Sequence, residues 1–252
     1  MFSTDPSPAL SLSQPPRAEL GVVVLAAGRA SRLGSLKPLV PVRGEALVAR
    51  LIRQLQALSS EIVVVTGHRA DEVEAGLGDC ACHVRFVRNP RTTGLAGSCA
   101  VGVSGWSPES TPSALLVVLG DNVTESALFE RVLGVGGELV LGCSDSPLDD
   151  EAMKLRANAA GRPERLGKSL GPPVVGEFVG VFLARGRGLD RLHEVLELHG
   201  PEGDLCDGPL NSLLADPDLD VRLADCRGIP WIEIDFPEDV SRMSVMRWSP
   251  YA

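Results

Sequence analysis

The sequence predicts an α/β fold: a mixed, mostly parallel sheet with helices on both faces, in a single domain. Three observations carry that reading. Continuous apolar runs recur at 22–26, 62–66, 115–119 and 139–143, without polar alternation. Segments with helical apolar spacing separate them. Glycine, proline and aspartate punctuate the junctions. Unalternating strands are buried on both faces, and intervening helices supply the cover.

The elements follow in order. Met1 to Leu20 holds Pro6, Pro8, Pro15 and Pro16 among serines and reads as a disordered lead-in. It has neither a basic start nor an apolar stretch, so it does not read as a secretory signal. Val22–Ala26 is expected as the first strand. Ala46–Leu58 is expected as an amphipathic helix, with Leu47, Leu51, Leu55 and Leu58 on one face. Ile62–Thr66 reads as a strand, Asp71–Leu77 as a short helix, Val84–Val87 as a strand and Leu95–Val103 as a helix. Leu115–Leu119 is a strand that ends at Gly120-Asp121. Ser126–Leu133 is a helix with Ser126 as its N-cap, and Leu139–Cys143 is a strand.

Beyond Asp145 the strands acquire polar interruptions: Met153–Ala157, Arg165–Lys168 and Glu177–Leu183. Leu189–Leu198 is a helix. Pro209–Leu214 is a short helix with proline in its first turn. Val221–Ala224 and Trp231–Ile234 are the closing strands. Residues 21–252 thus form one domain, with 21–145 as one half and 146–252 as a second half that completes it.

Composition narrows the function. The 252 residues are 44% hydrophobic and 23% charged, enough for a large core. A net charge of −9 offers no basic field, which excludes nucleic acid as the main partner. No apolar run approaches the roughly 20 residues that span a bilayer, so membrane insertion is not expected. The six cysteines lack the spacing of a disulfide framework and read as reduced thiols of a cytoplasmic protein. Cys80-Ala-Cys82-His83 has no second ligand pair and reads as two free thiols rather than a metal site.

The chemistry concentrates between Gly21 and Leu47. The first strand empties into Ala26-Ala27-Gly28, and Arg29, Arg32 and Lys37 follow within nine residues. Small residues let backbone N–H groups approach phosphate oxygens, and the cations neutralise their charge. The dinucleotide pattern G-x-G-x-x-G is absent, as is G-x-x-x-x-G-K-[ST], which argues against NAD and a kinase-type ATP site. Two carboxylates stand at strand ends, Asp121 after Leu119-Gly120 and Asp235 after Trp231–Ile234. Ligands of open α/β sheets bind at such ends.

Together, Leu25-Ala-Ala-Gly28, Arg32-Leu33, Lys37-Pro38-Leu39, Gly120-Asp121 and Glu233-Ile-Asp-Phe-Pro-Glu-Asp239 resemble the nucleotidyltransferases of the nucleotide-diphospho-sugar transferase superfamily. The likeness extends from Gly21 to about Met243. It is nearest the CTP-dependent cytidylyltransferases that take phosphocholine, aminoethylphosphonate or inositol 1-phosphate. The resemblance implies a Rossmann-like sheet and a reaction between CTP, or another nucleoside triphosphate, and a small phosphate- or phosphonate-bearing acceptor. Leu25, Ala26, Ala27, Gly28, Arg29, Asn89 and Ser98 would then hold the nucleotide. Arg32 would bind the departing pyrophosphate and Lys37 the α-phosphate. Asp121 and Asp235 would hold Mg2+. Lys168 would reach the acceptor phosphate, and Glu177, Gly180 and Asp207 would line the acceptor pocket.

Two departures from the family pattern bear on the acceptor side and the loop. Leu36 replaces the usual proline before the lysine. Leu205 and Cys206 replace the aromatics of choline-type relatives, which removes the means of caging a quaternary ammonium. A polyol phosphate or small phosphonate is therefore favoured. The alternatives are a sugar-1-phosphate or molybdopterin nucleotidyltransferase with another triphosphate, and a non-catalytic nucleotide-binding subunit. A glycosyltransferase of this architecture would be expected to carry an internal D-x-D, which Asp121-Asn122-Val123 does not supply. The oligomeric state is left open, a homodimer included.

Overall fold

The computed structural model describes residues 20–29, 32–90, 94–106, 111–146, 148–200 and 202–249. The expected lead-in lies outside the described residues except for Leu20. The first half runs β1 (Leu20–Leu25), β2 (Pro41–Val42), β3 (Glu45–Ala46), α1 (Leu47–Gln56), β4 (Glu61–Thr66), α2 (Ala70–Gly76), β5 (Arg85–Arg88) and α3 (Leu95–Val103). It continues with β6 (Ala114–Leu119), β7 (Asn122–Thr124), α4 (Ser126–Gly134) and β8 (Leu139–Ser144). The second half has β9 (Lys154–Ala157), β10 (Pro163–Gly167), β11 (Gly176–Arg185), α5 (Arg187–His199), α6 (Asn211–Ala215), β12 (Val221–Asp225), β13 (Trp231–Glu233) and α7 (Pro237–Val245).

Nine strands form the main sheet, in the order β10-β9-β11-β6-β1-β4-β5, with β8 on the other side of β11 and β12 beyond it. Pairings among β6, β1, β4 and β5 are parallel, with Val24 opposite Val64 and Val118. β11 runs antiparallel to β6 and to β8, so the sheet is mixed. Two cores cover its faces. On one, α1 packs Leu47, Leu51 and Leu55 against Val22, Val24 and Val64. On the other, Cys99 and Val103 of α3 and Leu192 and Val195 of α5 share a cluster with Val23, Val63 and Val117. The alternate valines of β1 thus face opposite cores, which is why the strand is apolar throughout.

Gly180 bends β11. Its φ is +68° and the register shifts between Phe178 and Phe182. A Cβ there would lie 2.5 Å from Asn122 Nδ2, which donates to Val179 O at 2.7 Å. The bend lets one strand pair with β6 through 181–185 and with β9 through 176–177.

Several local expectations are corrected. Ser126 is the first residue of α4, and Glu125 occupies the cap position without a capping bond from its side chain to the helix. Pro209 does not open a helix; it sits inside a single π-turn, Cys206–Leu210, before α6. Leu210 N donates to Leu205 O at 2.9 Å, so the wide turn satisfies the carbonyl that Pro209, lacking an N–H, leaves without its usual donor. The last expected strand, β13, lies outside the main sheet and pairs with the unexpected β7. The six cysteines are free thiols. Among the described residues no helix is long and apolar enough to cross a membrane.

Candidate active site

The carboxyl ends of β1, β4 and β6 meet at one edge. Ala26 N donates to Val65 O at 2.9 Å, and Gly120 N donates to Leu25 O at 3.0 Å. The approach is close enough to require small residues. A Cβ on Gly120 would meet Leu25 O at 2.7 Å, and one on Gly67 would meet Ala27 O at 2.9 Å. Above these ends opens a cleft of about 200 Å³. Leu25, Ala26, Ala27, Gly28, Arg29 and Ser98 all line it, as do Lys37 and Asp121. Asn89 stands behind the wall: it is buried, and its Nδ2 donates to Ser98 Oγ at 3.1 Å. Its place is to orient Ser98.

The two distant aspartates converge. β7 begins one residue after Asp121 and pairs antiparallel with β13, which puts Glu233 opposite Asn122. Ile234 N donates to Asp121 O at 3.0 Å. The ribbon therefore places Glu233 and Asp235 beside Asp121, and ligand oxygens of the three carboxylates lie within 4.8 Å of one another. Glu233 was not singled out by sequence reasoning. The signal was present in Glu233-Ile234-Asp235, because alternate residues of an extended chain share a face.

Lys37, at the start of a 3-10 turn over 37–39, crosses to this cluster. Its Nζ donates to Asp121 Oδ2 at 3.1 Å and to Asp235 Oδ1. Burial pulls the lysine pKa down, but Asp121 and Asp235 outweigh it and hold the ammonium above the usual lysine range. Burial within the cleft, then Asp121 and Asp235, push Glu233 up to about 8. The Glu233 side chain keeps contact with solvent, so the crowding of three carboxylates is the cause the geometry supports most directly.

Three hard oxygen donors this close suit a divalent cation. The fit has a further mark: Asp121 Oδ1 is buried with no hydrogen-bond partner among the described residues. A buried carboxylate oxygen is costly when nothing engages it. Asp121, Glu233 and Asp235 are the residues that would hold such an ion.

A second cationic group, Arg32 of the first half and Lys168 of the second, gathers on Glu151. Glu151 Oε2 lies 3.7 Å from Arg32 Nη1 and 2.7 Å from Lys168 Nζ. The Arg32 guanidinium also lies 5.4 Å from the centroid of Phe236, next to Asp235. Glu151 accounts for most of the raised Lys168 pKa, and Glu233 and Asp235 add to it, which places the ammonium within their field. Asp207 is exposed, its Oδ1 within 3.8 Å of where a Cβ on Gly167 would stand, one residue before Lys168. Glu177 lies half-buried at the start of β11. Burial and then Asp149 push its carboxyl up to about 7, against Lys154 and Arg242. Gly180 is buried, and its observed role is the bend in β11.

Residues 22–144 match the family model of the MobA-like NTP transferase domain. The chain is 32% identical over 243 residues to a bifunctional IPC transferase and DIPP synthase of Rubrobacter xylanophilus, covering 92% of this chain and 53% of that protein. The protein of the same description from Archaeoglobus fulgidus is 30% identical over 228 residues, 87% of this chain and 42% of its own length. The chain thus spans about half the length of the curated relatives it matches. Among solved structures, the inositol-1-phosphate CTP transferase of T. maritima superposes with a TM-score of 0.73 at 22% identity, over 90% of this chain and 95% of that one. The fold is shared along nearly the whole length. The small-residue loop and the carboxylate cluster meet at one sheet edge, and residues 22–144 match the MobA-like NTP transferase domain, which together support a nucleotidyltransferase of the nucleotide-diphospho-sugar transferase superfamily.

Proposed function

We propose that this protein is a Mg2+-dependent cytidylyltransferase that joins CMP from CTP to a small phosphorylated alcohol or phosphonate and releases pyrophosphate. The observation that carries the reading is the convergence of Lys37 with Asp121, Glu233 and Asp235 beside the Ala26–Arg29 cleft. Similarity to proteins described as IPC transferases, over 92% of this chain in one case, and to a structure described as an inositol-1-phosphate CTP transferase supports the choice of CTP and of a polyol phosphate.

The acceptor is already an anion, so no covalent enzyme intermediate is needed. Catalysis is positioning and charge neutralisation. Backbone groups of Ala26, Ala27 and Gly28 receive the nucleotide, with Ser98 held in place by Asn89. Lys37 neutralises the α-phosphate as charge builds there, and Arg32 takes the leaving pyrophosphate. Lys168 holds the acceptor phosphate in line for attack, with Glu177 and Asp207 at the acceptor end. When bound, Mg2+ would supply Lewis-acid charge stabilisation at the carboxylates of Asp121, Glu233 and Asp235.

The match to a MobA-like domain favours a second reading, transfer from another triphosphate to a different acceptor. Both readings are separated by pyrophosphate release from CTP, UTP, GTP and ATP against inositol 1-phosphate, aminoethylphosphonate, phosphocholine and glucose 1-phosphate. CTP with a non-choline acceptor is the expected productive pair. Release from GTP or UTP alone would replace the proposal by the second reading.

A further inference from the structure

The segments that converge on the carboxylate cluster meet a second time behind it. A cavity of about 260 Å³ lies among Pro41-Val42-Arg43, Arg50, Val123, Val240, Met243-Ser244 and Trp248. Its walls are downstream of Lys37, Asp121 and Asp235 respectively, apart from Arg50, which α1 supplies.

Arg50 is the unusual group here. It is 4% exposed, and its Nε is buried with no hydrogen-bond partner among the described residues. Burying a guanidinium is unfavourable unless an anion or a set of acceptors satisfies it. Two carboxylates attract it at a distance, Glu45 and Glu125. Both are engaged elsewhere: Glu45 Oε2 accepts from Arg53 Nη2 at 2.9 Å, and Glu125 Oε1 accepts from Ser249 N. Arg43 and Arg53 meanwhile press further positive charge upon it.

Two more observations point the same way. Gln54 follows Arg50 by one helical turn, and its Oε1 is also buried with no partner among the described residues, although its Nε2 donates to Thr124 O at 3.0 Å. Arg43 and Gly44 form the tip of the β2–β3 hairpin with φ of +53° and +87°. Glycine, asparagine and aspartate suit that turn, and an arginine there is under backbone strain. The strain is understandable if its side chain is needed at the cavity rim.

We infer that this cavity is a binding site for a small anion, a phosphate or carboxylate carried on an apolar body. Arg50 and Arg43 supply the charge, and Val240, Met243 and Trp248 receive the apolar part. The site is separate from the nucleotide cleft, which none of these residues lines. An occupant would fasten together the three segments that carry Lys37, Asp121 and Asp235. The inference rests on the cavity itself and stands whether or not the transfer reaction proposed above is correct.

Phenyl phosphate is the probe, titrated by tryptophan fluorescence and by thermal shift. The full chain and its Lys37→Ala variant should both bind it, because the cleft is not the site read. Arg50→Met should weaken that binding at least about tenfold, the scale of one charge-assisted hydrogen bond. Without ligand, Arg50→Met should melt no lower than the parent, since an unpaired buried charge is replaced by an apolar side chain of similar length. Ser244→Glu changes an exposed residue of the wall, so its fold is not at risk. It should raise the melting temperature by supplying the missing anion and should block the probe. Binding unchanged in Ser244→Glu or in Arg50→Met overturns the assignment. So does binding that disappears in Lys37→Ala, which would place the anion in the nucleotide cleft.

Discussion

Lys37 has two effects that separate experimentally. It neutralises two of three crowded carboxylates, and in the proposed reaction it also neutralises the α-phosphate. Lys37→Ala should lower pyrophosphate release by about 10²–10³-fold or more, the range for removing one preorganised charge donor. It should also destabilise the protein by about 1–3 kcal/mol at pH 8, where the carboxylates are left to repel one another. That loss should shrink at pH 5, as protonation of Glu233, pushed up to about 8, relieves the repulsion. A variant with near-full turnover would reject the role given to this lysine. Glu177 titrates with the opposite consequence. Its folded pKa, about 7, lies above the ordinary 4.5, so the folded chain holds its proton longer than the unfolded chain does. Stability attributable to this group therefore falls as pH rises from about 4.5 through 7 and is lowest above that range. Glu177→Gln should raise the melting temperature at pH 8 and leave it unchanged at pH 4. Equal effects at both pH values would show that burial and Asp149 do not strain this carboxyl.

At the scale of elements, the site depends on a ribbon and a capped helix rather than on the main sheet alone. Asp239 Oδ2 accepts from Asp235 N at 3.0 Å and from Phe236 N at 2.8 Å, at the start of α7. It thereby fixes the chain on which Asp235 stands. Asp239→Ala should cost about 1–2 kcal/mol in urea unfolding, as other capping losses do. It should also weaken Mg2+ binding, measured by calorimetry on the nucleotide-free protein. Unchanged Mg2+ affinity beside the stability loss would show that the cap supports only the helix. These elements also mark what was legible in the sequence. The valine runs of β1, β4 and β6 declare buried strands because every residue of them has a core to face. The Lys37 loop and both aspartates are legible through residue type at strand ends. β7 is three residues long, too short for any period to register. Without β7 there is no partner strand for β13, and so nothing in the pattern marks Glu233 as a neighbour of Asp121. Arg50 is hidden differently: it occupies a helical position where charge normally meets solvent, and the segments that line its cavity, the β2–β3 hairpin, β7, α7 and Trp248, are scattered along the chain.

At the scale of the whole molecule, an acidic chain of net charge −9 collects cations around one cleft from both of its halves. Arg29, Arg32 and Lys37 come from the loop after β1, and Lys168 follows β10. Glu151 joins these sources, since one of its oxygens is shared by Arg32 and Lys168. All three side chains are about half exposed, so the network adds little to stability, within about 0.5 kcal/mol either way. Its consequence lies in binding. In the proposed reaction, an acceptor phosphate has to displace Glu151 from Lys168, and a leaving pyrophosphate has to displace it from Arg32. Glu151→Gln removes the competing charge while keeping the side chain's size and hydrogen-bonding capacity. The variant should melt within a degree or two of the parent, and its KM for the acceptor should fall about two- to tenfold, the range of an exposed ion pair given up. The nucleotide KM should move less, because Lys37 and the backbone of Ala26–Gly28 do not touch Glu151. If the acceptor KM rises instead, Glu151 orients Lys168 toward the acceptor rather than competing with it, and the cleft is preorganised by this ion pair.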